Sequence, residues 1–283
     1  MAEGPKITRL RAAERIWAVA AIHGEAERLA ALHDRMAEEV DAGDRVVYCG
    51  NYFGFGPDGR EVLDELVRFR RWFLSFPPYM DSDDIVFLRG AQEEMWVKLM
   101  QLQFAPEPVK VLDFMAARGM AEALAAFGVD LGEARRAARE GTLALTYWCN
   151  RLRDRLRAIP GHDPLIRALV PAAAVAPETA PEAAPDGAPG SERPGLLFVH
   201  SGLDPDKPIA AQADAFWWAP RSFERVEEPI DGYRRIVRGF DPEAAGVVDR
   251  AVTLSIDAGA GRGGPLTAVR LSPEGVLEKR FTV

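Results

Sequence analysis

Three sets of residues in this chain could do chemistry directly: four histidines, two cysteines, and the glycine-rich stretch DAGAGRGGP with Gly259, Gly261, Gly263 and Gly264. A phosphate-binding loop needs a helix to open directly after its glycines, so that the helix N-terminus meets the anion. Pro265 and the strand-like LTAVRL follow instead. The stretch therefore predicts a glycine-rich hairpin, whose tight turn uses the positive φ that glycine supplies. Cys49 ends an apolar run, with no basic partner evident that would make it a thiolate, and reads as a small core residue. Taken alone, His23 and His200 read as hydrogen-bonded turn residues, and His33 and His162 as ordinary surface or helix residues. Trp217 and Trp218 suit packing in the core or at its rim better than stacking on a ligand.

The elements that must position these residues follow from hydrophobic spacing. RIWAVAAIHG is a short apolar run that stops at Gly24, and EAERLAALHDRMAEEV continues with apolar residues three and four apart. This predicts strand, tight turn, helix. The pattern returns in DRVVYCGNYFGFG with PDGREVLDELVRFRRWFL, and in DDIVFLRGA with QEEMWVKLMQLQF. Strands alternating with helices predict a largely parallel sheet whose working crevice lies at the carboxyl ends of its strands. From 105 to 169 the pattern is helical, broken at Gly119, Gly128, Gly141 and Pro160, and predicts a helical insertion. The stretch 171–195 is nearly all Ala, Pro, Gly and small polar or acidic residues, which predicts a flexible surface loop. LLFVHSG, YRRIVRGF, AVTLSIDAG, LTAVRLS and VLEKRFTV predict a second set of strands, for a mixed α/β architecture with two sheets.

Composition narrows the function. The chain has 283 residues, enough for about two domains or one large domain with an insertion, and 48% of them are hydrophobic. A net charge of −8 offers no basic face for a phosphate backbone, so nucleic acid is not an expected partner. Two cysteines are too few for a disulfide framework or a thiolate zinc site and point to a reducing compartment. No apolar run has signal-peptide or membrane-spanning length, so the expectation is a soluble cytoplasmic protein without a membrane partner.

Seven blocks then occur in order: AIHGE, GNYFGFGPDGREVLDEL, FLRGAQEE, LFVHSGLDPDKP, FWWAPRSF, IVRGFDP and IDAGAGRGGPLTAVRL. Their order and spacing resemble the phosphoprotein phosphatase branch of the calcineurin-like metallophosphoesterases. There the blocks read GDxHG, GDxVDRGPxSxEVL, LRGNHEE, FVHAGLDP, a Trp-containing segment, VHGHTP and IDTGAxxGGxLTALRL. The resemblance runs from about residue 15 to the C-terminus. It implies one domain over 1–283, an α/β fold in which a β-sandwich of two mixed sheets is flanked by helices, and a two-metal site at the strand ends.

The residues that the resemblance places at that site differ from the family pattern. The GDxHG aspartate falls on Ala21, the bridging aspartate on Asn51, the GNHEE asparagine on Ala91 and the GHTP histidine on Phe240, while His23 and His200 remain. The implied ligands are His23, Asn51 and His200, all uncharged. Two divalent cations would bring about +4 into a partly buried site with no carboxylate to balance it. The phosphate-clamping arginine falls on Phe55, and the acid pair that protonates the leaving oxygen falls on Gly54 and Gln92. The expected cofactor is none, or a divalent metal (manganese, iron or zinc) at partial occupancy.

Two functions follow as expectations. One is a catalytically inactive phosphatase-like protein, a pseudophosphatase whose cleft binds a small molecule or a protein partner. Tyr52, Phe55, Arg89, Gln92, Glu93, Arg238 and Phe240 are its candidate lining residues, with Arg262 a further anion-binding candidate. The alternative is a metal-dependent phosphoesterase or Ser/Thr protein phosphatase with an atypical or single-metal site, drawing carboxylates from Glu25, Glu93, Asp204 or Asp241.

Overall fold

The computed structural model describes residues 7–77, 80–177 and 195–283. Its strands are β1 (Ile7–Arg9), β2 (Arg15–Val19), β3 (Asp44–Tyr48), β4 (Ile85–Phe87), β5 (Ala172–Val175), β6 (Gly195–Val199), β7 (Tyr233–Arg238), β8 (Val248–Asp249), β9 (Thr253–Ser255), β10 (Thr267–Leu271) and β11 (Leu277–Thr282). Two mixed sheets result, one ordered β1-β5-β6-β7-β9-β8 and the other β11-β10-β2-β3-β4. In the second, β2, β3 and β4 are parallel, as the repeated strand-turn-helix pattern predicts.

Side chains on a strand alternate between faces, so each inner strand feeds two cores. Ile16 and Ala18 of β2, with Val47 of β3, meet Phe198, Val237 and Leu254 between the sheets. Trp17 and Val19 point the other way, into the helices. This double burial is why the strands read as continuous apolar runs. The helices on that face are α1 (Ala26–Ala37), α2 (Gly59–Phe73) and α3 (Ala91–Leu99), and then α4 (Pro108–Met115), α5 (Ala121–Ala126), α6 (Leu131–Glu140), α7 (Thr142–Arg157) and α8 (His162–Arg167) within the 105–169 segment. A short α9 (Ala215–Trp218) packs Phe216 on the outer face of the first sheet. None of the described helices is long and apolar enough to cross a membrane.

Four local expectations are corrected. Ala172–Val175 is not loop but strand β5, parallel to β1 and antiparallel to β6, with its alanines fully buried. Small side chains let the strand fit between crowded neighbours, and the ladder satisfies its backbone, so position outweighs composition. Residues 178–194 of the expected loop lie outside the described residues.

His33 and His162 do lie on helices, α1 and α8, but neither is at the surface. His33 is buried between the Tyr48 hydroxyl (2.7 Å from Nε2) and Glu65, stacked on Phe69 at 3.9 Å. His162 is fully buried, with Nε2 2.8 Å from an Asp64 oxygen, which ties α8 to α2. Each acid lies on another helix, out of reach of a local pattern. The glycine-rich stretch, finally, opens no helix, but it crosses from β9 in one sheet to β10 in the other and so is not a hairpin.

Candidate functional site

Six strands from both sheets send their following turns to one place. β2 leads to His23, β3 to Asn51, β4 to Gly90, β6 to His200, β7 to Phe240 and β9 to Asp257. The turns are bonded backbone to backbone. Ala21 N donates to Gly239 O (2.8 Å), and Ile22 N and His23 N both donate to Asn51 O (3.0 and 2.7 Å). Glycine is required where they touch. A Cβ at Gly239 would stand 2.0 Å from that of Cys49, and one at Gly50 would stand 2.6 Å from Gly90 N.

Three side chains here adopt the left-handed backbone region that non-glycine residues usually avoid: His23 (φ 53°), Asn51 (φ 54°) and Phe55 (φ 62°). Such strain persists only where surrounding contacts enforce it. Glu93 does much of the enforcing. Its buried carboxylate accepts from Asn51 N (2.9 Å), Tyr52 N (2.9 Å) and Gly90 N (2.8 Å). Burial nevertheless pushes its pKa up to about 7, against the pull of those N–H groups.

The histidines are neutral. Burial, helped by the nearby Arg262 charge, lowers His23 to about 3, and burial lowers His200 to about 4. His200 Nδ1 bonds Cys49 O at 2.7 Å, which leaves the buried Nε2 without a partner. Asn51 Oδ1 accepts from Gln92 N (2.9 Å), and its Nδ2 lies 3.3 Å from His23 Nε2. Rings pack directly against these donors. Phe240 stacks on His200 (5.4 Å, 11°) and sets its edge to His23 (5.7 Å), while Phe55 meets His23 at 5.1 Å. The Arg262 guanidinium lies over Phe240 at 5.0 Å.

A pair of divalent cations does not fit this donor set. It is uncharged, two of its three members are already hydrogen-bonded to each other, and two phenyl rings crowd the imidazoles. The alternative carboxylates are committed elsewhere: Glu25 to Arg28 (3.3 Å), Asp204 to Lys207 (3.0 Å), Asp241 to Arg238 (3.1 Å) and Glu93 to the backbone. Among the described residues, no three His, Cys, Asp or Glu side chains group as a metal would require.

Several residues expected to line the cleft lie beneath it instead. Tyr52 is fully buried, its hydroxyl donating to Leu88 O (2.7 Å), and Glu93 is buried as described. Gln92 is also buried and donates through Nε2 to Arg118 O (2.6 Å), which fastens the helical insertion over the site. Arg238 is buried among Ser255, Pro220, Glu224 and Asp241, where its charge is matched. Arg89 is half-buried beside Glu94 (3.4 Å), and its carbonyl accepts from Trp217 Nε1 (2.7 Å). Phe55, 38% exposed, is the expected residue that does open to solvent, together with the partly exposed Phe240.

Trp217 is core-facing and Trp218 exposed. Cys49 is buried and burial raises its thiol pKa, so it is no nucleophile. Arg262, expected as a free anion binder, donates to Asp241 O (2.8 Å) and Pro242 O (2.9 Å) and pairs with Asp257. Asp257 was missed. Its buried carboxylate accepts from Asp241 N and Gly259 N, both at 2.9 Å, and fixes the turn that carries Phe240. Its signal was present as a lone acid closing the apolar run AVTLSI.

No family model matches the sequence, and no curated protein does either. Solved structures do match. One is a proposed diadenosine tetraphosphatase, with a TM-score of 0.53 and 17% identity over 99% of this chain and 98% of that one. Another is a protein serine/threonine phosphatase from Saccharomyces cerevisiae with similarity to human phosphatase PP5, with a TM-score of 0.53 and 12% identity over 99% and 84%. The chain therefore shares the fold of these phosphatase structures, an α/β architecture of two mixed sheets flanked by helices.

Proposed function

We propose that this phosphatase-fold protein is a pseudophosphatase: it binds a ligand or partner and does not hydrolyse phosphoesters. The observation that carries this reading is Phe240 stacked on His200 and edge-on to His23, in a centre whose carboxylates, Glu93 and Asp257, are bonded to backbone N–H groups. In-line phosphoryl transfer with two metals needs anionic ligands, a cationic clamp and a proton donor. By the sequence resemblance, Asn51, Phe55 and Gln92 fall at those places, and their side chains supply none of the three. Both cysteines are free and buried, in keeping with the cytoplasmic location that we also propose.

A second reading, a phosphoesterase working with one divalent ion, draws on the unpartnered His200 Nε2 and on the phosphatases that share the fold. One experiment separates the two. Protein purified without chelator is assayed for metal and for manganese-supplemented turnover of an aryl phosphate and a phosphopeptide. The expected result is substoichiometric metal and no turnover. Near-stoichiometric metal, with turnover abolished by His200→Ala, overturns the proposal. The combined variant Ala21→Asp, Asn51→Asp, Ala91→Asn and Phe240→His is expected to gain metal that the parent lacks.

A further inference from the structure

Next to the buried centre lies a cavity of about 500 Å³, which shares Arg238 and Asp241 with the turn that carries Phe240. That size is within the range of roughly 300–1,000 Å³ typical of small-molecule sites. One wall is the 3₁₀ segment Pro220–Arg225, another the loop 241–248, and the floor comes from β9. Phe223 and Val248 supply apolar surface, and the Arg238 guanidinium lies over the Phe223 ring at 4.4 Å.

The charges lining the cavity are three arginines and three carboxylates, and most of them are spent on each other. Arg238 donates from Nε to Ser255 Oγ (3.0 Å), from Nη1 to Pro220 O (3.1 Å) and from Nη2 to Glu224 Oε1 (2.7 Å), with Asp241 Oδ1 at 3.1 Å. Arg250 shares Glu224. Arg238 is thus spent within the wall, its charge matched by Glu224 and Asp241. Two charges there stay unmatched: Arg221 on one wall and Glu243 on the other, neither ion-paired with a described residue. The Glu243 wall is held in a strained form. Ala244 sits at φ 50°, and Asp241 accepts from Glu243 N (3.2 Å) and Ala245 N (3.3 Å).

We propose that this cavity binds a zwitterion of dipeptide size with an apolar side chain. Its carboxylate meets Arg221, its ammonium meets Glu243, and its side chain lies along Phe223 and Val248. The lining is balanced overall, so a ligand with a single charge would leave Arg221 or Glu243 unmatched, whereas a zwitterion satisfies both. The proposal deepens the non-catalytic reading, because it names what the module binds, but it is read out separately. Metal content and turnover test the dead centre, and calorimetry tests the cavity.

The experiment is isothermal titration of the full-length protein with alanyl-phenylalanine, its N-acetyl derivative and its C-terminal amide. The parent is expected to bind the free dipeptide about tenfold more tightly than either blocked form. Glu243→Gln is expected to erase the preference over the N-acetyl form alone, and Arg221→Ala the preference over the amide alone. Both side chains are exposed, so unchanged melting temperatures will show that the variants fold. Equal affinity for the three compounds, variants that leave the preferences intact, or no heat from any compound at millimolar concentration would overturn the proposal.

Discussion

The centre around His23 and the cavity around Arg238 lie on either side of one turn, and they treat polar groups in opposite ways. In the centre, the carboxylates and the amide oxygen are turned inward to hold backbone: Glu93 on three N–H groups, Asn51 on Gln92 N, Asp257 on the Phe240 turn. In the cavity, the buried charges of Arg238 and Asp241 match each other, and two lining charges, Arg221 and Glu243, have no ion-pair partner among the described residues. The scaffold of the centre and its side-chain chemistry are thus separable. Glycines and N–H bonding fix the first, and a few side-chain tips fix the second. The centre should therefore respond to substitution as a structural element, through stability, and the cavity as a binding element, through affinity.

The sharpest way to break that contrast is Glu93→Ala. It strands three buried N–H groups that no other side chain reaches, and unsatisfied buried donors cost about 1–3 kcal/mol each. The expected loss is at least ~3 kcal/mol in urea denaturation, accompanied by relaxation of the Asn51 turn. A loss below ~1 kcal/mol would mean that Glu93 is not what holds the site.

The next effect is on pH. The imidazoles of His23 and His200 have folded values near 3 and 4, below the usual 6.5, so the unfolded chain binds their protons first. Their contribution to stability is present above pH 6.5 and is lost as pH falls toward 4. Glu93 runs the other way. Its folded value near 7 lies above the ordinary 4.5, so its contribution is greatest below 4.5 and shrinks as pH rises to 7. Glu93→Gln removes the opposing group. The dependence of unfolding free energy on pH should then steepen by about 1.4 kcal/mol per unit between pH 4.5 and 7, one proton's worth, measured as urea midpoints. An unchanged slope would show that Glu93 is ionised throughout.

Much of this architecture was legible in the sequence, because strands such as RIWAV and DRVVY are buried on both faces and their helices repeat at a regular spacing. The order of the turns, and which of them carry His23, Asn51, His200 and Phe240, was legible as well, since each follows an apolar run and is marked by glycine. Depth was not. Tyr52, Gln92 and Glu93 lie in a turn or at the start of a helix, where polar-tipped side chains read as exposed, but tertiary packing buries them with their neighbours under the site. Pairings across helices were hidden for the same reason: His33 with Glu65 and His162 with Asp64 lie 32 and 98 residues apart. Strand β5 was masked by alanine and proline, whose composition resembles linker until a neighbouring ladder captures it.

The helical insertion gives a final and smaller test, because it touches the centre and not the cavity. Between α4 and α5 the chain leaves helical geometry at Arg118 and Gly119, and Gly119 takes φ 96°. That kink lets Arg118 O reach Gln92 Nε2, and it brings Gly119 so close that an added Cβ would stand 2.9 Å from Phe55 N and 3.1 Å from Gln92 Nε2. Gly119→Ala places a methyl group in that gap and forces alanine into the left-handed region, at about 1–2 kcal/mol for the backbone alone. The contact and the dihedral fail together, so the insertion should loosen over Phe55 and Gln92 while the cavity stays as it was. The expected readout is a stability loss of about 2 kcal/mol, with faster amide exchange at 116–120 and no change in dipeptide affinity. A parallel loss of affinity would show that the two regions are coupled through the Phe240 turn, and the division between a structural centre and a binding cavity would then have to be abandoned.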